Sequence, residues 1–325
     1  MGELIIKSKL LITGASGYLG GRILQNFAGR NRFEIRLISR NHSNKFNFSN
    51  VDPRYTDWRS DQDLESACEG IDIVIHLAGM NAADSAQSPT ESYEINVLNT
   101  GRLLKASINK NVKKFIYFST AHVYSSPLVG ELTEETPTKN FHPYAASHKA
   151  AEDLLRFFSS LGKIDASILR LSNAYGPPIS AHTNCWGLLV NDLCRQAVRE
   201  KTLILKSTGL QKRDFIPISD VIQALDTLFA DETLPSPSKV FNLGGDWSIS
   251  VLEMAQLIQK RTEVVFGFQP TLERREDGVF SDMMDLRFDI KKIKSLGFQV
   301  TQDKTKEIDD LLRFCKEHFI SNVSA

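Results

Sequence analysis

A chain of 325 residues, 42% apolar and 24% charged, has the makeup of an ordinary soluble α/β protein with one large domain or two sharing a sheet. Its 39 Lys and Arg balance its 39 Asp and Glu, which excludes the electrostatic footprint of a nucleic-acid or anionic-membrane binder. The four cysteines, Cys68, Cys185, Cys194 and Cys315, form no CxxC pair and read as reduced, buried thiols rather than a metal site. Apolar runs are too short for a bilayer and the first strand starts too early for a signal peptide, so a cytoplasmic protein is expected.

The first predicted strand, 10–12, runs through Thr13-Gly14-Ala15-Ser16-Gly17-Tyr18-Leu19-Gly20 into a helix over 20–28. Glycines at this spacing suit a dinucleotide pyrophosphate. Gly14 allows the tight turn, Gly17 lets backbone approach phosphate, and Gly20 lets the helix pack on the sheet. The first N–H groups of that helix would meet the anionic oxygens, with Ser16, Tyr18 and Leu19 in the same turn. The spacing is GxxGxxG rather than GxGxxG, and alone it also fits a plain βα turn. The second strand, 34–39, ends Leu37-Ile38-Ser39-Arg40-Asn41, without the acid that binds a ribose 2′-hydroxyl. Ser39 and Arg40 suit a 2′-phosphate, so NADP(H) is expected ahead of NAD(H), the alternative being an exposed arginine that begins a loop. Asp57, beside Trp58, is placed either to accept a hydrogen bond from the adenine or to cap the next helix.

A helix over 61–68, a strand over 71–77, a helix from about 89 to 109, a strand over 114–119, a helix from about 144 to 161 and a strand over 166–171 follow. Strands apolar on both faces that alternate with helices predict a Rossmann-type, doubly wound parallel sheet. Past Gly176-Pro177-Pro178 come a helix over 186–201, a strand over 203–206, a helix over 219–229, a strand over 240–243 and a helix over 251–261. The expected organisation is a dinucleotide-binding domain over 1–178 with segments returning at about 214–244. A smaller α/β substrate domain would take 179–213 and 245–325.

Three further motifs follow the glycine turn in order: His76-Leu77-Ala78-Gly79, Phe118-Ser119-Thr120-Ala121-His122-Val123-Tyr124 and Pro143-Tyr144-Ala145-Ala146-Ser147. With Leu169-Arg170-Leu171-Ser172-Asn173-Ala174-Tyr175-Gly176-Pro177 and Gln211-Lys212-Arg213-Asp214-Phe215, they make the chain resemble the extended short-chain dehydrogenase/reductase family over nearly its whole length. That family contains nucleotide-sugar epimerases, dehydratases and ketoreductases. The resemblance implies that Tyr144 exchanges a proton with the sugar C4 oxygen while a nicotinamide exchanges the hydride. It also implies that Thr120 hydrogen-bonds the reacting oxygen, that Asn96 supports the site, and that Leu77, Ala78, Gly79 and Ser119 line the cofactor.

A phenol with an ordinary pKa of about 10 needs a neighbouring cation to exchange protons easily at neutral pH. The family places a lysine four residues after the tyrosine, where it also holds the nicotinamide ribose; here His148 stands there and Lys149 follows. Three readings stay open. His148 replaces the lysine, with activity then falling as pH rises through its pKa; Lys149 reaches the site through a π-bulge; or the cation is lost and the chain binds cofactor with little turnover.

For the substrate, the resemblance assigns Asn173 to the diphosphate or base, and Arg213 with Arg274 or Arg275 to the diphosphate, whose oxygens suit a planar guanidinium. Ion pairs with Asp214, Glu273 and Glu276 are the alternative for these arginines. The family's 4,6-dehydratases carry an Asp-Glu pair after the threonine, where this chain has Ala121-His122, so dehydration is not expected; His122 is a candidate sugar contact. NADP(H)-dependent 4-keto reduction is expected first, serving surface-polysaccharide sugars. NAD-dependent 4-epimerisation is the alternative, and a non-catalytic dinucleotide sensor or scaffold is an alternative of another class. A homodimer through the helices at 89–109 and 144–161 is expected, with Leu154, Leu155, Phe157, Phe158 and Leu161 as its apolar surface.

Overall fold

The computed structural model describes residues 8–30, 32–39, 48–233, 236, 239–274 and 285–320. In its first half, strand and helix alternate: β1 (Ser8–Thr13), α1 (Tyr18–Gly29), β2 (Phe33–Ser39), β3 (Val51–Tyr55), α2 (Asp61–Cys68) and β4 (Ile73–His76). Two short helices, α3 (Ala82–Gln87) and α4 (Pro89–Tyr93), lead into a π-helical segment at Glu94–Leu98 and then α5 (Asn99–Asn109). Next come β5 (Lys114–Thr120), β6 (Gly130–Leu132), α6 (Pro143–Ser160), β7 (Asp165–Leu171) and β8 (Asn173–Tyr175). The remainder is α7 (Leu189–Arg199), β9 (Thr202–Leu205), β10 (Lys212–Pro217), α8 (Ile218–Ala230), β11 (Val240–Leu243), β12 (Ser248–Ser250), α9 (Val251–Phe266), β13 (Thr271–Arg274), β14 (Leu286–Phe288), α10 (Lys291–Lys294) and α11 (Lys306–Phe319).

Seven strands form one sheet in the order β11-β7-β5-β4-β1-β2-β3. The pairs β1–β2, β1–β4, β2–β3 and β4–β5 are parallel. This is the Rossmann order, with the chain reversing direction across the sheet between β1 and β4. A ligand crevice is expected outside the carboxyl ends of those two strands. Both faces are covered, which explains the unbroken apolar runs. Leu10, Leu11, Ile12, Val74 and Ile75 are wholly buried, and Leu11, Val74, Phe115 and Tyr117 share one core with residues of α2, α5 and α6.

The chain divides into two units, the first comprising Met1–Ser126, Pro137–Arg170 and Asp231–Phe241. The segment that comes back to this unit is shorter than the 214–244 expected, because β10 is paired elsewhere. In the second unit β10 lies between β8, to which it is parallel, and β12, to which it is antiparallel. The pairing β8–β10 also draws the boundary to Leu171, earlier than residue 178. The core of the second unit is built from α7, α9 and α11 with β9 and β10. Among the described residues, no helix is long and apolar enough to cross a membrane.

The cysteines are free and buried, and burial lifts Cys68 and Cys185 to about 11 and Cys315 to about 12, which leaves them unreactive thiols.

Candidate active site

At the carboxyl end of β1 the backbone turns on Gly14, whose φ of +73° favours glycine. A Cβ there would stand 2.8 Å from the amide nitrogen of Ala78, so the glycine turn and the loop after β4 touch backbone to backbone. A Cβ on Gly20 would fall 2.1 Å from the Gly14 carbonyl oxygen, and one on Gly17 would lie 3.1 Å from the same atom. Gly17 donates its N–H to that oxygen at 2.9 Å and opens α1 without a side-chain cap. The first turn of α1 holds no acid, Ser16 and Gly17 are exposed, and Tyr18 and Leu19 are half-buried beside them. A turn with no Cβ to spare, leading into an uncapped helix end, fits a pyrophosphate. The fit rests on this chain's own backbone.

Two buried hydroxyl–imidazole contacts and the backbone bonds of the same hydroxyls hold the two loops together. Thr13 Oγ1 accepts the amides of Leu77 and Ala78 at 3.2 and 3.1 Å, and lies 2.7 Å from His76 Nδ1. His76 Nε2 lies 2.8 Å from Thr100 Oγ1, which donates to the Asn96 carbonyl at 2.7 Å. Since the Thr100 proton is committed to that carbonyl, Nε2 must donate and Nδ1 must accept from Thr13. Burial holds His76 down at about 3, so this neutral tautomer persists at neutral pH.

Asn96 sits in the middle of the π-helical segment and is 1% exposed. Its Oδ1 accepts the Met80 amide at 2.8 Å, and its Nδ2 donates to Ser147 Oγ at 2.9 Å. Ser147 Oγ in turn donates to the Tyr144 carbonyl. Asn96 therefore ties the loop carrying Leu77, Ala78 and Gly79 to α6, the helix of Tyr144.

Four residues apart on one helical face, Tyr144 and His148 meet ring edge to ring face with centroids 4.6 Å apart. The Tyr144 phenol lies beside Thr120, at the end of β5; burial raises its pKa and the Thr120 hydroxyl opposes the rise. Thr120 Oγ1 also accepts the His122 amide at 3.2 Å. His148 Nδ1 lies 2.7 Å from the Tyr117 hydroxyl. Burial holds His148 at about 4, so it brings no charge to Tyr144 at neutral pH. This corrects the expectation of an imidazolium whose loss ends activity as pH rises. Lys149 does not take the role either. Helix α6 is regular, Lys149 is ion-paired with Asp153, and the π-helical segment is at Asn96 instead.

Ser119 lies two residues from Tyr117 on the same strand, and its hydroxyl donates to buried Glu152 at 2.6 Å. Glu152 is paired with Arg170 at 2.7 Å. Trp58 packs against the core with its ring 6.0 Å from His76. Exposed Asp57 accepts the Arg59 amide at 2.9 Å, while Ser60 caps α2. Ser39 is buried at the end of β2. Arg40 and Arg275 lie outside the described residues. His122 is half-buried at the end of β5.

The other predicted substrate residues belong to the second unit. Asn173 Nδ2 donates to the Asp214 carbonyl at 2.9 Å. Arg213 is half-buried on β10 and, among the described residues, has no hydrogen-bonding or ionic partner; burial lowers its pKa. Its expected rival partner is taken, since the Asp214 carboxylate accepts from Ser172 Oγ and from the amides of Gly245 and Trp247 at 2.6–3.0 Å. Arg274 is exposed at the end of β13. Sequence reasoning missed Thr13, Thr100, Ser147 and Tyr117. For Tyr117 there was a signal, because strand alternation puts it on the face of Ser119.

Residues 10–244 match the model of the NAD dependent epimerase/dehydratase family. The chain belongs to this family. A putative UDP-glucose 4-epimerase of Methanocaldococcus jannaschii is 26% identical over 319 residues, 95% of this chain and 99% of that protein. A dTDP-D-glucose 4,6-dehydratase of Bos taurus is 31% identical over 260 residues, 77% of this chain and 69% of that one. Among solved structures, UDP-glucuronic acid 4-epimerase from Bacillus cereus, in complex with UDP-glucuronic acid and NAD, superposes with a TM-score of 0.79 at 23% identity. That match covers 95% of this chain and 99% of the other and speaks for the fold. The protein is thus an enzyme of the epimerase/dehydratase family, with the short-chain dehydrogenase/reductase architecture its motifs resembled.

The two buried imidazoles make the first unit sensitive to acid. A histidine whose folded pKa lies below its unfolded value of about 6.5 takes up its proton more readily when unfolded. Its stabilisation is complete above pH 6.5 and is lost as pH falls towards about 4 for His148 and 3 for His76. For His148 alone the stake is on the order of 3 kcal/mol. Thermal melts from pH 7 to pH 4 should show a falling midpoint, and His148→Gln should flatten that slope; equal slopes would contradict the buried neutral ring.

Proposed function

We propose that this chain works at C4 of a nucleoside-diphosphate sugar and that its reaction is 4-epimerisation on retained NAD. The observation that carries the reading is Tyr144 beside Thr120 at the carboxyl end of β5, on a helix tied by Asn96 to the loop that touches the glycine turn. Gly14, Ser16, Gly17, Tyr18, Leu19 and Gly20 would hold the dinucleotide, with Leu77, Ala78, Gly79 and Ser39 beside it. A nicotinamide held there supplies uptake and return of a hydride. Tyr144 takes the proton of the C4 hydroxyl and returns it to the ketone oxygen, which Thr120 holds by hydrogen bond. Arg213, desolvated and without an internal anion among the described residues, suits the diphosphate.

Epimerisation rather than dehydration is favoured by Ala121-His122, which puts no carboxylate after Thr120 to move protons at C5 and C6. Relatives named as acting on UDP- and dTDP-sugars favour a pyrimidine nucleotide. NADPH-dependent 4-keto reduction, placed first by the sequence, is the second reading, favoured by the absence of an acid at the end of β2. Tyr144→Phe should cut turnover by about 10²–10⁴-fold while cofactor affinity stays within twofold; parental turnover in this variant would refute the mechanism. Mass spectrometry of nucleotide released from purified protein should find NAD that does not exchange with added NADPH. Protein purified empty that binds NADPH selectively would put the reductase first.

A homodimer is also proposed. Leu155 and Phe158 are used in the core of the first unit, but Tyr93, Leu98, Phe157 and Leu161 remain exposed on α4, the π segment, the face of α6 and its C-cap. Sizing with light scattering should give twice the 36.5 kDa chain mass; a monomer at all concentrations would refute it.

A further inference from the structure

We propose that Tyr117 is a positioning residue that fixes His148 as the Nε2–H tautomer, so that the site has a neutral, directed hydrogen-bond donor where relatives carry an ammonium. The inference deepens the proposed function and rests on it for the place of His148 beside the cofactor. Tyr117 is 2% exposed, and its hydroxyl has one partner among the described residues, His148 Nδ1 at 2.7 Å. If Nδ1 carried the ring proton and donated, the phenol hydrogen would be left buried without an acceptor. If the phenol donates, both groups are satisfied. The phenol keeps its proton readily, since burial raises its pKa well above 10, with Glu152 and Tyr144 adding to the rise.

The ring planes are fixed as well. Tyr117 lies between the two buried imidazoles, 5.7 Å from His76 at 28° and 5.8 Å from His148 at 32°. Nε2 of His148 has no hydrogen-bond partner among the described residues, so its proton is left for a ligand. The neighbouring Cε1 lies 3.9 Å from where a Cβ on Gly79 would stand, on the loop after β4. The titratable groups around the ring are His76 on β4, Tyr117 on β5 and Tyr144 on α6. Glu152, the charge that bears on Tyr117, is neutralised by Arg170. A rigid donor with no charge can hold a ribose hydroxyl in register, but it leaves the acidity of Tyr144 to the substrate and cofactor.

Two-bond ¹H–¹⁵N NMR on histidine-labelled protein, with the His148 signal assigned through His148→Gln, reads the tautomer directly. Nδ1 should be the bare acceptor and Nε2 the protonated nitrogen, unchanged from pH 5.5 to 9. Tyr117→Phe, which keeps the ring stack, should put His148 into a mixture of tautomers and weaken rebinding of NAD to cofactor-stripped protein about tenfold. The His76 signals should stay as they were. An Nδ1–H ring or an imidazolium at pH 7 in the parent would overturn the proposal, as would a Phe variant with unchanged tautomer and affinity. The NMR arm needs no substrate. If the lock is present and no sugar nucleotide is turned over, the proposed function fails and this inference stands.

Discussion

The backbone contact between the turn at Gly14 and the loop after β4 is the constraint on which the rest of the first unit depends. At a switch point the chain leaves two neighbouring strands in opposite directions, and the gap between the departing loops is where a ligand enters. Here the gap is closed at its base. Gly14 has no room for a Cβ beside Ala78, and Thr13 spends its two acceptor sites on Leu77 and Ala78. The proton left on Thr13 then settles the tautomer of His76, and through Thr100 the order reaches the π-helical segment. A π turn frees a carbonyl for such a bond and shifts the register of the residues after it. Asn96, inside that turn, joins the loop to the helix of Tyr144. The proposed cofactor cradle and Tyr144, the proposed proton-transfer residue, are thus two ends of one hydrogen-bonded structure.

The polarity of this structure is high and its charge is low. Around Tyr144 lie two neutral imidazoles, a second phenol, hydroxyls and an amide. The buried ion pair nearby, Glu152–Arg170, is closed on itself by Ser119 and Tyr124. Breaking such a pair by removing one partner would leave a buried charge at a cost of about 3–5 kcal/mol, so it acts as a brace. The second unit shows the opposite choice at Arg213. Its sequence neighbour Asp214 is saturated by a hydroxyl and two amides, and among the described residues the guanidinium has no internal anion, as a site for an anionic ligand would require.

The fold was legible because parallel strands buried on both faces cannot hide: their runs are continuous and their helices amphipathic. Residues β3 and α11 show two different reasons for a miss. Val51-Asp52-Pro53-Arg54-Tyr55 is a largely exposed edge strand with a proline, and carries no apolar period. The stripe Ile308, Leu311, Leu312, Cys315 of α11 is a plain helical signal, but it lies beyond the last predicted element. At the site, the helical spacing of Tyr144 and His148 was enough to place both rings on one face and Lys149 off it. The charge state of His148 was not legible. It depends on burial by β5 and on the Tyr117 hydroxyl, contacts made by residues 31 positions apart in the chain.

Among the described residues no cation shifts the Tyr144 phenol, which would change the chemistry proposed for it. The phenol of Tyr144 starts above its ordinary value, since burial opposes the phenolate and Thr120 is the only group among the described residues that opposes the rise. A fixed ammonium would favour the phenolate in every state of the reaction. Without one, the phenolate is favoured only while some other positive charge is close, and an oxidised nicotinamide is such a charge. In the proposed reaction, proton uptake by Tyr144 from a sugar hydroxyl would therefore be coupled to the presence of oxidised cofactor. An enzyme that begins and ends each turnover in that state loses less by the exchange of lysine for histidine than one that must be charged with reduced cofactor each time. The same physics that makes His148 a poor activator thus argues for the cofactor being kept.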